Sequence, residues 1–357
     1  MGSLEFRIID PSEYRGELIN LLSKVLGRNI TIEQFIWKYE RNPLGRTKVG
    51  GVWSKDVNKL VGTISMFKKH FIHEGRIYPV YQAGDGALEA DYRGRGVYSD
   101  LVKEMTDSLR QEGVVFWFGY SNEAAARVYQ RFPNNRELYL SNTYVFVNGF
   151  RNIVHNYFHQ NGPLAHSIIE LGNPFIRTYN RIVGYSKRTE FVLEPVESFG
   201  NLPEKWSFEL ATHHQFLPLR DNDFLKWRAI DVPEVMRNDL FPYWFMKDGR
   251  KIGYCVLYRD GKRNILKIID ILCEDARNNL VKLFKTVRRF AIQNNYDAIT
   301  TNIAGELYAN ALKSVGFIKI MPIRCTVFVL GEEFMSNCNF NNTFWVQLPI
   351  DRDNFDY

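Results

Sequence analysis

The stretch LEADYRGRGVYS, residues 88–99, decides how this sequence is interpreted. A strand-like run enters the stretch, Gly94 and Gly96 turn the chain, and an amphipathic helical pattern leaves it. The first turn of a helix has unpaired backbone N–H groups and carries about half a positive charge, so it attracts anions. Glycine lets the backbone approach a phosphate because it has no Cβ. The stretch therefore predicts an anion cradle, to which Arg93 and Arg95 would add positive charge.

Strands and helices alternate on both sides of this loop. VVFWFGY, residues 114–120, is a nearly continuous apolar run, which is typical of a central strand covered on both faces. The elements up to about residue 150 form one α/β unit. The predicted strands lie at residues 5–9, 47–53, 60–67, 70–73, 76–90, 114–120 and 138–148. The predicted helices run from Pro11 to Gly27, around 35–39, over 96–111 and over 122–131.

The same order of elements begins again after residue 190. Trp37 and Trp227 are each followed by a cation and, at the same spacing, by a proline. Gly62 and Gly253 repeat at nearly the same separation, and two matches at one offset indicate an internal duplication. We therefore predict an α/β (α+β) chain with two copies of one fold. The predicted parts are a domain at 1–150, a helical connector at 151–190, a second domain at 191–330 and a tail at 331–357.

The composition excludes several classes of protein. Forty-six basic against 40 acidic residues give a net charge of +6, with no block of five like charges. Nucleic-acid binders concentrate positive charge on one face or tail, so we expect an anionic small molecule and no nucleic acid as partner. No apolar run of 18 residues occurs, and the N-terminus lacks a basic region followed by an apolar stretch. We expect a cytoplasmic protein without a membrane partner.

Cysteine and histidine spacing does not predict a metal site. The four cysteines lie in the last third of the chain, contain no CxxC pair and fall mostly in strand-like runs. They are therefore expected to be buried, reduced thiols. His70 and His73 stand three apart in a strand-like run, where their rings would point to opposite faces. We expect no metal.

The loop and its neighbours resemble the Gcn5-related N-acetyltransferase (GNAT) superfamily. The family's pyrophosphate loop, Gln/Arg-x-x-Gly-x-Gly/Ala, falls on Arg93, Gly96 and Tyr98, and it departs from the family at Tyr98, where a small residue is typical. The resemblance implies the acyl-CoA N-acyltransferase fold in each half, a mixed sheet flanked by helices. It also implies acetyl-CoA as acyl donor. The residues that would bind the donor are Leu88, Ala90, Arg93, Gly94, Arg95, Gly96, Val97, Tyr98, Ser99 and Asn122.

A second family signature follows the central strand. Asn122, Ala125 and Tyr129 are spaced to lie on one helix face. By resemblance, Asn122 would touch the cofactor arm and Tyr129 would act as general acid, giving a proton to the coenzyme A thiolate. The attacked thioester carbonyl would be polarised by a backbone N–H of residues 86–90.

The general base is predicted from the strand that feeds the loop. Acyl transfer needs a neutral amine, so a base or a water relay should face the thioester. Asp85 and Glu89 share one face of this strand under period two, and either is a candidate. Gln82 lies near the position where some family members keep a catalytic Glu, and its amide cannot take a proton.

The second copy differs at the corresponding loop. Its sequence, ILCEDARNN, contains no glycine, and Glu274 and Asp275 would repel a pyrophosphate. Leu312 stands at the usual tyrosine position. We expect this copy to bind no acyl-CoA and to build part of the acceptor side, as in tandem members such as N-myristoyltransferases and Fem-type transferases.

The resemblance implies transfer of an acetyl group from acetyl-CoA to a primary amine of a small acceptor. The start of the chain and its tail resemble tandem GNAT proteins of bacterial surface-polysaccharide biosynthesis, which suggests an amino sugar or sugar nucleotide. One alternative is a Fem-type or long-chain acyl or aminoacyl transferase acting on a peptide or peptidoglycan precursor. Another is a non-catalytic acyl-CoA sensor. A monomer or a homodimer is expected.

Overall fold

The computed structural model describes residues 3–149, 172–182, 190–212 and 216–331. The chain divides into two compact units, with breaks between residues 139 and 140 and between residues 323 and 324. The strands are β1 (Leu4–Ile9), β2 (Lys48–Ser54), β3 (Lys59–His73), β4 (Arg76–Leu88), β5 (Phe116–Gly119), β6 (Asn135–Val147), β7 (Val192–Pro195), β8 (Leu217–Pro218), β9 (Leu240–Lys247), β10 (Arg250–Asp260), β11 (Ile265–Cys273), β12 (Ala298–Ala304) and β13 (Ile318–Val329). The helices are α1 (Arg15–Leu26), α2 (Ile32–Tyr39), α3 (Val97–Gln111), α4 (Glu123–Tyr129), α5 (Leu202–Ala211), α6 (Asn222–Ala229), α7 (Glu234–Arg237), α8 (Ala276–Gln293) and α9 (Glu306–Ser314).

The sheet of the first unit is mixed. Strands β1 to β4 pair antiparallel in chain order, and β4 pairs parallel with β5. The sixth position is filled by the end of β13, where Thr326 to Val329 pair antiparallel with β5. The first unit therefore completes its sheet with residues that follow residues 140–323 of the second unit in the chain.

Helices cover the first unit's sheet through two apolar clusters. One cluster joins α1 and α2 to Leu60 and Phe67 of β3. The other joins α3 to neighbouring β3 residues such as Val61 and Ile64, and to Trp117 of β5. Ile64 and Met66 of the second cluster alternate along β3 with Phe67 of the first, so the two clusters lie on opposite faces of the sheet. The buried residues of these helices recur three or four positions apart, as Leu18, Leu21 and Leu22 do in α1.

Strand β4 contains a bulge opposite β3. Thr63 pairs with Ala87 and Ser65 pairs with Gly84, so Asp85 and Gly86 together oppose one residue of β3. Asp85 has a φ of 46°, in the left-handed region. The shared face predicted for Asp85 and Glu89 assumed that side chains alternate regularly along β4. The bulge interrupts that alternation.

Parallel pairing between β4 and β5 stops early. The last paired residues are Ala83 and Gly119, after which β4 continues to Leu88 while the chain leaves β5 toward α4. The end of β4 and the start of α4 thus border a gap in the sheet of the first unit.

The second unit repeats the order of the first. Strands β7, β9, β10 and β11 pair antiparallel, β11 pairs parallel with β12, and β12 pairs antiparallel with β6. The last strand of the second unit's sheet is formed by Ser141 to Val147 of β6. These residues precede the rest of the unit in the chain. Both Trp37 in α2 and Trp227 in α6 are buried, as are the cations that follow them. The predicted tandem duplication is confirmed.

Two sequence-based predictions differ from the structure in detail. The runs at 60–67 and 70–73 are parts of one strand, β3, since its pairing with β4 continues without a turn between them. Of the predicted helical connector, residues 172–182 are helical and the remainder lies outside the described residues, apart from Glu190.

We predict that the first unit depends on the end of β13. Phe328 is fully buried and stacks on Trp117 with ring centroids 3.9 Å apart. Phe328→Ala should lower the free energy of unfolding by about 3–5 kcal/mol, because it leaves a cavity against Trp117. Ile320→Ala, at a half-exposed position of the same strand, should change it by less than about 0.5 kcal/mol. Urea denaturation of both variants checks this, and equal losses would contradict it.

Candidate functional site

The glycine loop of the first unit presents a helix N-terminus. After β4 the chain makes a single 3₁₀ turn over Ala90–Tyr92 and then bends at Gly94 and Gly96, which have φ values of 76° and 81°. A Cβ at either glycine would meet open space, so the backbone angle is what requires glycine. Within the described part of the chain, no side chain caps the first turn of α3. Its N–H groups are available to an anion.

A cavity of about 410 Å³ lies between this loop and α4. Its walls come from the bulged end of β4, the loop and first turn of α3, the start and outer face of α4, and the end of α1. The residues that line it are Val25, Leu26, Gly86, Leu88, Arg93, Gly94, Gly96, Val97, Tyr98, Ser99, Asn122, Ala124, Ala125, Val128 and Arg131.

Most of the residues predicted to bind the donor line this one cavity. Leu88, Arg93, Gly94, Gly96, Val97, Tyr98, Ser99 and Asn122 do so. Among the described residues, Ala90 and Arg95 are exposed and lie outside the lining. Arg93 donates from Nε to the carbonyl oxygen of Leu88 at 2.9 Å, so it also ties the loop back to the end of β4.

Sequence analysis missed several lining residues. Val25 and Leu26, at the end of α1, were not predicted to line a cavity. Gly86 was included only in the range 86–90 expected to polarise the carbonyl, and its place in the lining follows from the bulge in β4. Arg131, just after α4, is a cation that lines the cavity. Its place beside the predicted helix at 122–131 could have indicated it.

Asn122 begins α4 at the other wall. Its side-chain oxygen accepts a hydrogen bond from the backbone N–H of Ala125 at 3.0 Å, the usual arrangement of an N-cap. The cap fixes where the helix starts, and it therefore fixes the cavity-facing positions Ala125 and Val128. A role for Asn122 in donor binding stays a prediction.

Two tyrosines meet beside the bulge. The hydroxyl oxygens of Tyr98 and Tyr129 are 3.2 Å apart. Tyr129 is 5% exposed and packs edge-on against Trp117 and Phe328. Among the described residues, Tyr98 lines the cavity and Tyr129 does not.

Burial keeps both hydroxyls protonated at neutral pH. It raises the pKa of Tyr129 well above its usual value, and the neighbouring Tyr98 raises it further. Burial also raises the pKa of Tyr98, while the hydrogen bond with Tyr129 opposes that rise. The two side chains are therefore proton donors and not bases at neutral pH.

Both predicted bases are engaged with cations. Asp85 accepts from Lys38 Nζ at 2.6 Å and from the Tyr39 hydroxyl at 2.7 Å, and Lys38 is only 1% exposed. Glu89 accepts from Lys59 Nζ at 2.7 Å and from Lys24 Nζ at 3.0 Å.

These contacts affect the protonation of Glu89 and give both carboxylates a structural role. The hydrogen bond from Lys59 is the main cause that holds the pKa of Glu89 below its usual value. Neither carboxylate belongs to the described cavity lining. A role as general base stays a prediction for both, while the contacts show a structural role for each.

We predict that the two carboxylates differ in their contribution to stability. Asp85→Asn removes the charge that compensates a buried Lys38, and it should lower the free energy of unfolding by about 3 kcal/mol. Glu89→Gln should cost less than about 1 kcal/mol, since Lys24 and Lys59 are more than half exposed. Guanidinium denaturation at neutral pH compares them. A larger loss for Glu89→Gln would contradict the assignment.

The corresponding loop of the second unit is built differently. Strand β11 runs into α8 through Glu274 and Asp275, and Asp275 occupies the left-handed region with a φ of 43°. The side chain of Glu274 accepts from Arg250 at 2.6 Å. Leu312 in α9 is fully buried. This helix N-terminus carries two carboxylates where the first unit carries glycines and arginines.

The described residues contain few other reactive or metal-binding side chains. Cys255, Cys273 and Cys325 are buried and form no disulfide bond among the described residues, and burial raises the pKa of the Cys255 thiol well above its usual value. No group of three or more His, Cys, Asp or Glu side chains among the described residues is placed to hold a metal ion. None of the described helices is both long and apolar enough to cross a membrane.

Comparison with known proteins agrees with this architecture. Residues 5–133 match the family model "Acetyltransferase (GNAT) domain". No curated protein matches the chain at the sequence level.

Two solved structures illustrate the similarity of fold. A GCN5-related N-acetyltransferase from Anabaena variabilis is 13% identical, with a TM-score of 0.63 over 92% of this chain and 73% of that one. The N-myristoyltransferase of Saccharomyces cerevisiae, solved with bound myristoyl-CoA, is 14% identical, with a TM-score of 0.61 over 92% of this chain and 83% of that one. At such identities the likeness concerns the fold.

The loop, the tandem topology and the matched domain lead to one assignment. Residues 5–133 are similar to the acetyltransferase (GNAT) domain family, and the fold of the chain is similar to the folds of the two solved acyltransferases.

Proposed function

We propose that the protein transfers an acetyl group from acetyl-CoA to the primary amine of a small acceptor, an amino sugar or sugar nucleotide. The observation that carries the proposal is the cavity of the first unit, which joins an uncapped helix N-terminus to a strand bulge. The helix N-terminus suits a pyrophosphate, and the backbone at the bulge suits a thioester. The second unit, with Glu274 and Asp275 at its helix start, serves another purpose.

The reaction proposed is direct attack of the amine on the thioester carbonyl. The pyrophosphate of the donor binds the N–H groups that follow Gly94 and Gly96, assisted by the arginines of the loop. A backbone N–H released from the ladder by the bulge at Gly86 polarises the carbonyl oxygen. The pair formed by Tyr98 and Tyr129 supplies the proton to the departing thiolate.

Acetyl is proposed as the acyl group because the matched domain is an acetyltransferase domain. The amino-sugar acceptor rests on the likeness of the chain's start and tail to tandem proteins of polysaccharide biosynthesis. A long-chain donor has one supporting observation, the fold similarity to an N-myristoyltransferase. The experiments below separate these cases.

We predict that acetyl-CoA binding depends on Gly96. Gly96→Glu places a carboxylate at the start of α3 and should weaken acetyl-CoA at least about tenfold in calorimetry, because it repels the pyrophosphate. Gly113→Glu is a matched control, since Gly113 follows the other end of α3 with a φ of 73° and open space. Both changes should cost about 1–2 kcal/mol of stability.

The control should bind acetyl-CoA as tightly as the wild type does. Equal affinity in all three proteins would overturn the placement of the pyrophosphate. Absence of binding in the wild type would overturn the donor assignment itself.

We predict that a thiol-release screen will identify a nucleotide-linked amino sugar as the preferred acceptor. Acetyl-CoA with a nucleotide-linked amino sugar should give the highest kcat/KM, compared with spermidine and with a peptide bearing a free N-terminus. Myristoyl-CoA should be a poorer donor with every amine. Release with the peptide and myristoyl-CoA alone would instead indicate a long-chain transferase. Donor binding without release from any amine would indicate a sensor.

A further inference from the structure

Tyr98 occupies an unusual position in the cavity. It lies in the first turn of α3, next to the predicted phosphate cradle, yet its ring turns inward toward the bulge of β4. A Cβ placed on Gly86 would collide with the Tyr98 hydroxyl oxygen. The hydroxyl therefore lies directly against the Gly86 backbone, where the absence of a side chain leaves room for it.

Tyr129 lies behind Tyr98 as seen from the cavity. Its ring is enclosed by Trp117 and Phe328, and its hydroxyl meets the Tyr98 hydroxyl at 3.2 Å. Proton transfer requires the donor within hydrogen-bond reach of the acceptor atom. Of the two described tyrosines, only Tyr98 lines the cavity, and its hydroxyl lies against Gly86, which lines the same cavity.

The hydrogen bond between the tyrosines allows either hydroxyl to donate, so Tyr129 can donate to a Tyr98 that has lost its proton. It opposes the rise that burial causes in the pKa of Tyr98, and it raises the pKa of Tyr129. Both effects correspond to Tyr129 donating to an ionised Tyr98 oxygen. Tyr129 thereby stabilises the phenolate that Tyr98 becomes after it gives up its proton.

We propose that Tyr98 is the catalytic residue that protonates the leaving sulfur, and that Tyr129 is a positioning residue that orients Tyr98 and stabilises its phenolate. This inference rests on the proposed function, because it assumes that a thioester lies beside Gly86. It replaces the sequence-based expectation that Tyr129 itself meets the thiolate.

The amine nitrogen forms a bond to the acyl carbon, and the resulting ammonium loses one proton to water. The carbon–sulfur bond breaks and its electron pair leaves on sulfur, which takes the hydroxyl proton of Tyr98. The phenolate of Tyr98, held by the hydrogen bond from Tyr129, regains a proton from solvent. The net products are the amide and the free thiol of coenzyme A.

The proposal predicts how free coenzyme A ionises in the cavity, which can be measured without knowing the acceptor. A hydrogen bond donated to a thiolate favours the charged form and lowers the pKa of the thiol. Titration of bound coenzyme A, followed by thiolate absorbance in the ultraviolet, should give a thiol pKa about one unit higher in Tyr98→Phe than in the wild type. Tyr129→Phe should give an intermediate value.

The other charged groups around the cavity are present in all three proteins, so they do not affect this comparison. Arg93 and Arg131 line the cavity, and Asp85 lies beside Gly86 with its carboxylate held by Lys38. All are the same in the three proteins, and each variant keeps its aromatic ring. Urea denaturation and coenzyme A affinity, both expected to be close to wild type, show that a change in thiol pKa is not caused by a loss of structure.

Turnover of the amine acceptor gives the second readout. Tyr98→Phe should lower kcat about 100-fold or more with little change in the KM for acetyl-CoA, and Tyr129→Phe should lower it less. An unchanged thiol pKa in Tyr98→Phe, or a larger kcat loss in Tyr129→Phe, would overturn the inference while leaving the proposed function intact. Failure of the wild type to bind coenzyme A would overturn both.

Discussion

The buried ion pair between Lys38 and Asp85 is the interaction on which the candidate site depends. It holds Asp85 at a positive φ that a non-glycine residue adopts only at a cost of about 1–3 kcal/mol. The bulge that results turns Gly86 out of the regular ladder and against the Tyr98 hydroxyl. Helix α2 supplies Lys38 and Tyr39, and it is fixed at its start by a reciprocal cap between Thr31 and Gln34. The ion pair therefore links the fold of the first unit to the chemistry of its cavity.

The second unit also pairs an aspartate of its fourth strand with a cation. Gly62 pairs with Leu88 and Gly253 pairs with Cys273, and Asp85 and Asp270 each lie three residues before these partners in the chain. Asp270 is fully buried and accepts from Arg220 at 2.9 Å and from the Tyr254 hydroxyl at 2.6 Å. In each copy a basic residue and a tyrosine, from different positions, both donate to the aspartate. The glycine loop, in contrast, is present in the first unit only, so the copies share a scaffold and differ in the site.

Much of this could be predicted from the sequence, and the rest depends on contacts between distant segments. Local periodicity and the glycines at 94 and 96 were sufficient for the helices, most strands and the loop. That β13 completes the sheet of the first unit follows from long-range pairing, which no local pattern encodes. Tyr98 was recognised as a departure from the family loop, but its inward direction requires the bulge at Gly86. The engagement of Asp85 likewise depends on Lys38, which lies 47 residues earlier in the chain.

The central claim is that one acyl-CoA donor binds the cavity of the first unit between the bulge and α4. Hydrogen exchange with and without coenzyme A tests it most directly, because bound phosphate and thiol protect the backbone N–H groups they contact. The account predicts slower exchange in peptides covering residues 86–99 and 122–128, and no change in the equivalent loop of the second unit at 269–279. Protection confined to residues 269–279, or none in residues 86–99, would contradict it.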